Sequence, residues 1–268
     1  MAELIVRAPD GTKISSESYG QGRPLVIVSG AMFARERWLS VIPLFASERD
    51  PYVIDRRGRG RSGDTQPYAP EREIEDIVAV IERIGEPLDL LGHSSGAILA
   101  LQVAARAPAQ LEREIAYEPP IFFKAEDSIV QDLPERLDAL LAAGKREAAV
   151  ETFFREGPRM SDQEIQSPKA APFWPQLVAT LGHTVPYDSR VQRSFKGERS
   201  ELESIRVPTL MLVGSASSPR MQSGARTIAE RLSHAQIAEL AEQQHMAHVT
   251  APALFAATVN GFLSAAAS

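Results

Sequence analysis

The segment Leu-Asp-Leu-Leu-Gly-His-Ser-Ser-Gly-Ala-Ile-Leu at residues 88–99 places a serine where it could act as a nucleophile. It predicts an apolar strand that turns sharply at Ser94 into a helix of small residues. Gly92 and Gly96 flank this serine, and side chains at these two positions would collide with the neighbouring backbone. The pattern is typical of a nucleophile elbow, a strained turn that pushes the hydroxyl into a cleft. The alternative interpretation is a glycine- and serine-rich loop that has no catalytic role.

A serine hydroxyl is a weak nucleophile at neutral pH, so it needs a base and a third group that orients the base. The five histidines of the chain are the candidate bases: His93, His183, His234, His245 and His248. His93 lies inside the elbow and is expected to point away from Ser94, and His234 falls in a surface turn, so both are predicted to be structural. His183 falls among predicted helices, where it could contact a substrate. The base is therefore His245 or His248.

Composition excludes several classes of function. The formal net charge of −6 gives no electrostatic footprint for nucleic acid, and the arginines at 56, 57, 59 and 61 form a short, glycine-interrupted loop. The chain has no cysteine, which excludes disulfides, a thiol nucleophile and a cysteine-ligated metal. No signal segment or membrane span is visible, so a cytoplasmic location is expected. We expect a monomer or homodimer that acts on a small molecule with no cofactor, metal, nucleic acid or membrane partner.

Strand and helix patterns alternate along most of the chain. Strands are predicted near 4–6, 12–19, 25–28, 52–55, 87–91, 112–118, 208–214 and 235–240. Helices are predicted near 35–47, 70–83, 221–232 and 252–264, and after the elbow. Asp10 and Gly11 are a hairpin turn signal between the first two strands. Continuous apolar strands separated by helices predict an α/β fold with a mostly parallel, eight-stranded sheet.

The alternation stops for about eighty residues after the sixth strand. Residues 121–203 show only helical patterns, such as 127–143 and 145–156, interrupted by prolines. The sequence therefore predicts a core of residues 1–120 and 204–268 with an inserted helical cap at 121–203.

Three segments in the right order resemble the α/β-hydrolase family. They are the elbow, the Asp-Arg-Arg-Gly-Arg-Gly-Arg-Ser-Gly loop at 55–63, and Gln243-Gln244-His245 with Pro252 seven residues later. The resemblance covers nearly the whole chain. It implies that Ser94 is the nucleophile and that His245 is the base, because the family places its histidine directly after the last strand. His248 is then interpreted as a polar residue at the start of a helix.

The triad acid departs from the commonest family pattern. Many relatives carry an aspartate just after the seventh strand, where this chain reads Gly-Ser-Ala-Ser-Ser-Pro at 214–219. Glu118 ends the sixth strand, which in this fold lies next to the elbow strand. A minority of the family places its acid there, and Pro119 fixes where the strand stops. Glu118 is the predicted acid, and pairing with an arginine near the cap is its alternative role.

The resemblance also assigns an oxyanion hole. One backbone N–H comes from the residue after the nucleophile, Ser95, and the other comes from Ala31 in the loop after the third strand. Ser29 stands in that loop where the family often has histidine. Asp55 and Arg57 are assigned to bracing these loops and not to chemistry.

Aromatic residues are concentrated in the predicted cap, which should close over Ser94. The candidate pocket residues are apolar side chains of the cap and of two flanking loops: Met32, Phe122, Phe123, Phe154, Trp174 and Met221. Core packing between helices is the alternative role for each of them.

The chain is thus predicted to be a serine hydrolase that cleaves a small or medium carboxylic ester or lactone through an acyl-enzyme on Ser94. Carbon–carbon bond hydrolysis or perhydrolysis with the same triad is one alternative. A non-catalytic small-molecule binder that lost the usual acid is another.

Overall fold

The computed structural model describes residues 1–106, 108–123 and 130–265. The eight predicted strands are present at β1 (Ala2–Arg7), β2 (Lys13–Ser18), β3 (Arg23–Val28), β4 (Arg49–Asp55), β5 (Leu88–His93), β6 (Leu111–Tyr117), β7 (Thr209–Gly214) and β8 (Ala235–Leu240). They form one sheet in the order β1-β2-β4-β3-β5-β6-β7-β8. The pairs β1–β2 and β2–β4 are antiparallel, and the other pairs are parallel. The predicted fold class is therefore confirmed.

Helices cover both faces of this sheet. Those outside the segment between β6 and β7 are α1 (Ile42–Phe45), α2 (Pro70–Ile84), α3 (Ser95–Ala105), α10 (Pro219–Arg231), α11 (Ala247–Thr250) and α12 (Pro252–Ser264). Val80, Leu99 and Ile228 belong to the apolar core on one face, and Phe45 and Phe255 belong to the core on the other. Both faces of the central strands are buried, which explains their continuous apolar sequences.

The segment between β6 and β7 is helical, as predicted. Its helices are α4 (Leu133–Ala142), α5 (Arg146–Glu156), α6 (Asp162–Lys169), α7 (Trp174–Leu181), α8 (Val185–Ser194) and α9 (Arg199–Leu202). The first residues of the helix predicted over 127–143 lie outside the described residues. Leu137, Val150 and Phe153 form a separate apolar cluster that also includes Met32 from the loop after β3. The division into a core and a cap domain remains a prediction.

The single helix predicted over 35–47 is wrong. The structure has a 3₁₀ turn at Arg35–Trp38, then a further turn, and only then the short α1. Pro43 has no N–H to donate to the carbonyl of Leu39, and its ring crowds that carbonyl, so one continuous helix would be interrupted here.

The six parallel strands, β3 to β8, bring the loops that follow them to one edge of the sheet. Val28 is in register with Gly92, His93 with Tyr117, and Tyr117 with Leu212. The loops that follow β3, β5, β6 and β7 therefore emerge side by side. Among the described residues, no helix is long and apolar enough to cross a membrane.

Glu114 on β6 is a buried acid without a counter-charge. It is fully buried and makes no ion pair among the described residues, and the side chain of Thr209 favours its ionised form by less than burial disfavours it. Burial raises the pKa of this carboxyl from 4.5 to about 8. Between these two pH values the folded state binds more protons than the unfolded chain, so stability falls as the pH rises.

We expect Glu114→Met to remove this loss of stability at rising pH. From pH 5 to pH 8 the variant should gain about 3 kcal/mol of unfolding free energy relative to the wild type. Urea denaturation of both proteins at the two pH values measures this gain. Glu112→Met, which removes a half-exposed glutamate of the same strand, should leave the pH dependence unchanged. An identical pH dependence in Glu114→Met and the wild type would show that Glu114 is not protonated at pH 7.

Candidate active site

Ser94 sits in a strained turn between β5 and α3. Its φ of 55° and ψ of −125° place a non-glycine residue in the left-handed half of backbone space. The turn is fastened by the Ser94 N–H, which donates to the carbonyl of Tyr117 at 2.9 Å. A Cβ atom on Gly92 would lie 2.5 Å from Ala97 Cα, and one on Gly96 would lie 2.3 Å from the Val28 carbonyl oxygen. Both glycines are therefore required by close backbone approach.

Glu118 and His245 are hydrogen bonded at the carboxyl edge of the sheet. His245 Nδ1 lies 2.6 Å from Glu118 Oε2, and the glutamate is fully buried. The other carboxylate oxygen accepts from the Gly214 N–H at 2.8 Å and from the Ser217 hydroxyl. The structure thus brings together the two residues that the sequence proposes as acid and base, and it adds Ser217 as a donor to the acid.

The carboxylate of Glu118 is stabilised by these donors. Burial alone would raise its pKa, but hydrogen bonds from His245, Ser217 and Gly214 outweigh burial and hold the pKa below its usual value. Glu118 is therefore ionised at neutral pH. An ionised acceptor requires the proton of the neutral imidazole to sit on Nδ1, which leaves Nε2 as the basic nitrogen.

The loop after β8 holds His245 through its backbone. The carbonyl of His245 accepts from His93 Nε2 at 2.9 Å, and the hydroxyl of Tyr117 donates to the Gln244 carbonyl. Among the described residues the Ser94 hydroxyl makes no hydrogen bond, either with His245 or with any other group. Catalytic hydrogen bonds of this kind often tighten only when substrate binds.

His93 and His248 lie behind this site in a buried aromatic cluster. The His93 ring is 4.6 Å from the ring of His245, and His248 stacks on Trp38 at 4.5 Å. Burial lowers the pKa of His93 well below its usual value and that of His248 to about 3, so both rings are neutral. His248 is the second residue of α11, at a helix start as the sequence suggested, and it is fully buried there.

The two proposed oxyanion donors lie in adjacent segments, Ala31 in the loop after β3 and Ser95 at the start of α3. A Cβ atom on Gly30 would lie 2.8 Å from Ser94 Cβ, so the loop after β3 packs directly against the elbow. Within the described residues, neither the Ala31 N–H nor the Ser95 N–H donates a hydrogen bond. Both groups therefore remain available to an oxyanion.

The candidate pocket residues fall into two groups. Met32, Phe154 and Trp174 pack in or against the apolar cluster of the helical segment. Phe122 and Phe123 instead lie under the guanidinium groups of arginines in α10, at 4.5 Å and 4.1 Å from ring centroid to Cζ. Phe123 and Met221 also pack against the main core. The structure therefore groups Met32, Phe154 and Trp174, and it places Phe123 with the core.

The other singled-out side chains do not contact Ser94. His183 Nε2 lies 3.9 Å from Asp64 Oδ2, between the helical segment and the loop after β4, and burial lowers the pKa of this imidazole, so that it is neutral at pH 7. His234 is exposed in the turn before β8.

Asp55 is hydrogen bonded to the 3₁₀ turn that follows the loop after β3, whereas Arg57 is hydrogen bonded to helix α2. Asp55 accepts from Arg35 Nε at 2.9 Å and from the Arg61 N–H at 2.9 Å. Arg57 makes two hydrogen bonds of 2.8 Å to Asp76.

Gly96→Ala tests the close packing of the elbow. The new Cβ would meet two backbone carbonyl oxygens, of Val28 at 2.3 Å and of Ser29 at 2.5 Å, so we expect a loss of about 2 kcal/mol or more in unfolding free energy. Gly261→Ala is the matched control, because that helical site has no neighbour within 4 Å and should gain about 0.5 kcal/mol. Chemical denaturation measures both. Equal stabilities of Gly96→Ala and the wild type would contradict the packing described.

Comparisons with known proteins agree with the fold. The Alpha/beta hydrolase family matches residues 25–258. An alpha/beta hydrolase from Sphaerobacter thermophilus superposes with a TM-score of 0.89 and 36% identity, over 97% of this chain and 100% of that one. A non-heme haloperoxidase from Rhodococcus erythropolis is 28% identical over 78% of this chain and 80% of its own length.

A third similar protein is the N-formylmaleamate deformylase of Pseudomonas putida. It is 32% identical over 127 residues, which are 46% of this chain and 47% of the deformylase, so that the match spans about half of each protein. The family match extends over most of the sequence. The chain therefore belongs to the alpha/beta hydrolase family and is an enzyme of that fold.

Proposed function

We propose that this protein is a serine hydrolase that cleaves a small or medium carboxylic ester or lactone through an acyl-enzyme on Ser94. The observation that carries the proposal is the 2.6 Å hydrogen bond between Glu118 and His245 Nδ1. This bond orients the imidazole and fixes its tautomer, as a triad requires.

In the first half of the reaction, Ser94 Oγ attacks the carbonyl carbon while His245 Nε2 takes the hydroxyl proton. Glu118 stabilises the resulting imidazolium, and the N–H groups of Ala31 and Ser95 stabilise the negative oxygen of the tetrahedral intermediate. His245 then gives its proton to the leaving alkoxide, and the carbon–oxygen bond breaks. Water repeats these steps on the acyl-enzyme and releases the acid and free Ser94.

The substrate is proposed to be a small molecule with an apolar part. Met32, Phe154 and Trp174 belong to or pack against the apolar cluster that also contacts Ala31, and such side chains suit an apolar group. Similarity to a haloperoxidase favours perhydrolysis as a second candidate, in which hydrogen peroxide replaces water in attacking the same acyl-enzyme. Carbon–carbon bond hydrolysis uses the same triad and has no separate support.

The non-catalytic binder is less well supported than an enzyme. The absence of an aspartate after β7 favoured it, but Glu118 supplies a carboxylate to the same imidazole. A binder also has no need for a serine held at a φ of 55°.

Activity toward p-nitrophenyl esters tests the proposal. Ser94→Ala should abolish turnover, and Glu118→Gln should lower kcat by about 10³- to 10⁴-fold. In this variant Gly214 and Ser217 would hold the amide oxygen, so the amide N–H₂ would face His245 Nδ1. The imidazole would then carry its proton on Nε2 and could not accept one from Ser94.

Glu114→Met is the matched control for this experiment, because it removes a different buried glutamate, in β6, and leaves the hydrogen bond of His245 intact. It should keep wild-type kcat. Unimpaired turnover in Glu118→Gln would refute the acid assignment. If the wild type neither hydrolyses any ester or lactone nor is labelled on Ser94 by a fluorophosphonate, the binder is the correct alternative.

A further inference from the structure

A buried cluster of four charged side chains lies beside the elbow. We call Arg56, Arg59, Glu73 and Asp188 the Arg56 cluster; each is at most 2% exposed. Arg56 makes a bidentate pair with Glu73 at 2.6 Å and 2.7 Å, and Arg59 Nη2 donates to Asp188 Oδ2 at 2.7 Å. The four groups carry two positive and two negative charges, so the cluster is neutral as a whole.

The Arg56 cluster also contacts both loops that carry the proposed oxyanion donors. Arg56 Nη1 donates to the Ser29 carbonyl at 3.1 Å and to the Ser95 hydroxyl at 3.0 Å. Ser29 precedes Gly30 and Ala31 in the loop after β3. One guanidinium group is therefore hydrogen bonded to the backbone of one loop and to the side chain of the other.

Asp188 fixes the position of that guanidinium group from the helical segment. It lies on α8, and its Oδ1 accepts from Arg56 Nη1 at 2.9 Å and from the Ser95 hydroxyl at 2.8 Å. Arg56, Ser95 and Asp188 thus form a closed triangle of hydrogen bonds. Removing any one of the three would break two of these hydrogen bonds, although Glu73 would still pair with Arg56, and Arg59 with Asp188, wherever that partner is kept.

Stability alone is a weak reason for such a cluster. Taking four charges out of water costs free energy that their mutual attraction recovers only in part, and an apolar replacement of similar volume is often as stable. What a buried charged network provides is a defined geometry. Oxyanion donors need such definition, because a displacement of about 1 Å can lower a rate about 100-fold.

We infer that Asp188 is a positioning residue for the oxyanion hole, acting through Arg56 and Ser95 on the loops that carry the Ala31 and Ser95 N–H groups. The inference rests on the proposed function and deepens it. It also makes the oxyanion hole depend on where α8 lies, since the only acid of the triangle comes from that helix.

Asp188→Asn tests this role in the intact protein, with Asp76→Asn as control. Asp76 is also a buried partner of an arginine, Arg57, and the hydrogen bonds of that pair do not reach Ser29 or Ser95. Three quantities are measured: kcat and KM for p-nitrophenyl acetate, and the affinity for phenylboronic acid by calorimetry. Phenylboronic acid adds to a serine oxygen as a tetrahedral anion, so its affinity reports on the oxyanion hole without turnover.

We expect Asp188→Asn to lower kcat about 10- to 100-fold and to leave KM within about twofold of its wild-type value. The affinity for phenylboronic acid should fall by a factor similar to the decrease in kcat. Asp76→Asn should leave all three quantities unchanged in the folded protein. An unchanged kcat and boronate affinity in folded Asp188→Asn would overturn the inference. So would a loss confined to KM.

Ser95→Ala decides the matter if Asp188→Asn does not fold. It removes one corner of the triangle but keeps every charge and the Ser95 N–H, and it should lower kcat and boronate affinity several-fold. Unchanged values would overturn the inference. If the wild type binds phenylboronic acid but hydrolyses no ester, the proposed function fails and the boronate affinities still decide the role of Asp188. If the wild type does neither, both proposals are overturned.

Discussion

The hydrogen bond between Glu118 and His245 is the interaction on which the site depends. A buried carboxylate is costly unless donors compensate it, and Glu118 has three: an imidazole, a hydroxyl and a backbone N–H. The imidazole comes from the loop after β8, and the other two come from β7 and the loop that follows it. The bond therefore exists only because three neighbouring parallel strands, β6, β7 and β8, end level with one another at the same edge of the sheet.

Backbone strain is concentrated at that same edge. Met32, Ser94 and Glu118 follow β3, β5 and β6, and all three have positive φ, at 58°, 55° and 48°. Each such residue costs on the order of 1–2 kcal/mol. Their strand partners hold them in place: the N–H of Ser94 donates to β6, and the N–H of Glu118 donates to the Leu212 carbonyl of β7 at 3.0 Å. The sheet thus stabilises conformations that isolated loops would not keep.

Much of this could be predicted from the sequence, because it depends on local pattern. Continuous apolar runs located the strands along the chain, and glycine spacing located Ser94. Glu118 could be proposed because no carboxylate lies in the loop directly after β7 and because adjacent strands end together. Ser217 could not be recognised as its partner, since a serine in a loop carries no distinguishing pattern.

Contacts between distant segments were not predictable. Arg56 and Asp188 are 132 positions apart, and periodicity within either segment says nothing about their pairing. The burial of His248 depends on Trp38, which is also remote from it in sequence. Phe123 was assigned to the pocket from local composition, and only the packing of α10 shows that it lies with the core.

The pairing of Glu118 with Ser217 has a consequence for how such chains are recognised. The end of β6 and the loop after β7 reach the same point in space, so a carboxylate from either one can meet the histidine, and the other position is free to carry a small hydroxyl. A survey that requires the acid between nucleophile and histidine to follow the seventh strand would classify this chain as an inactive homologue. Classification by distance between folded side chains would instead retain it among the enzymes.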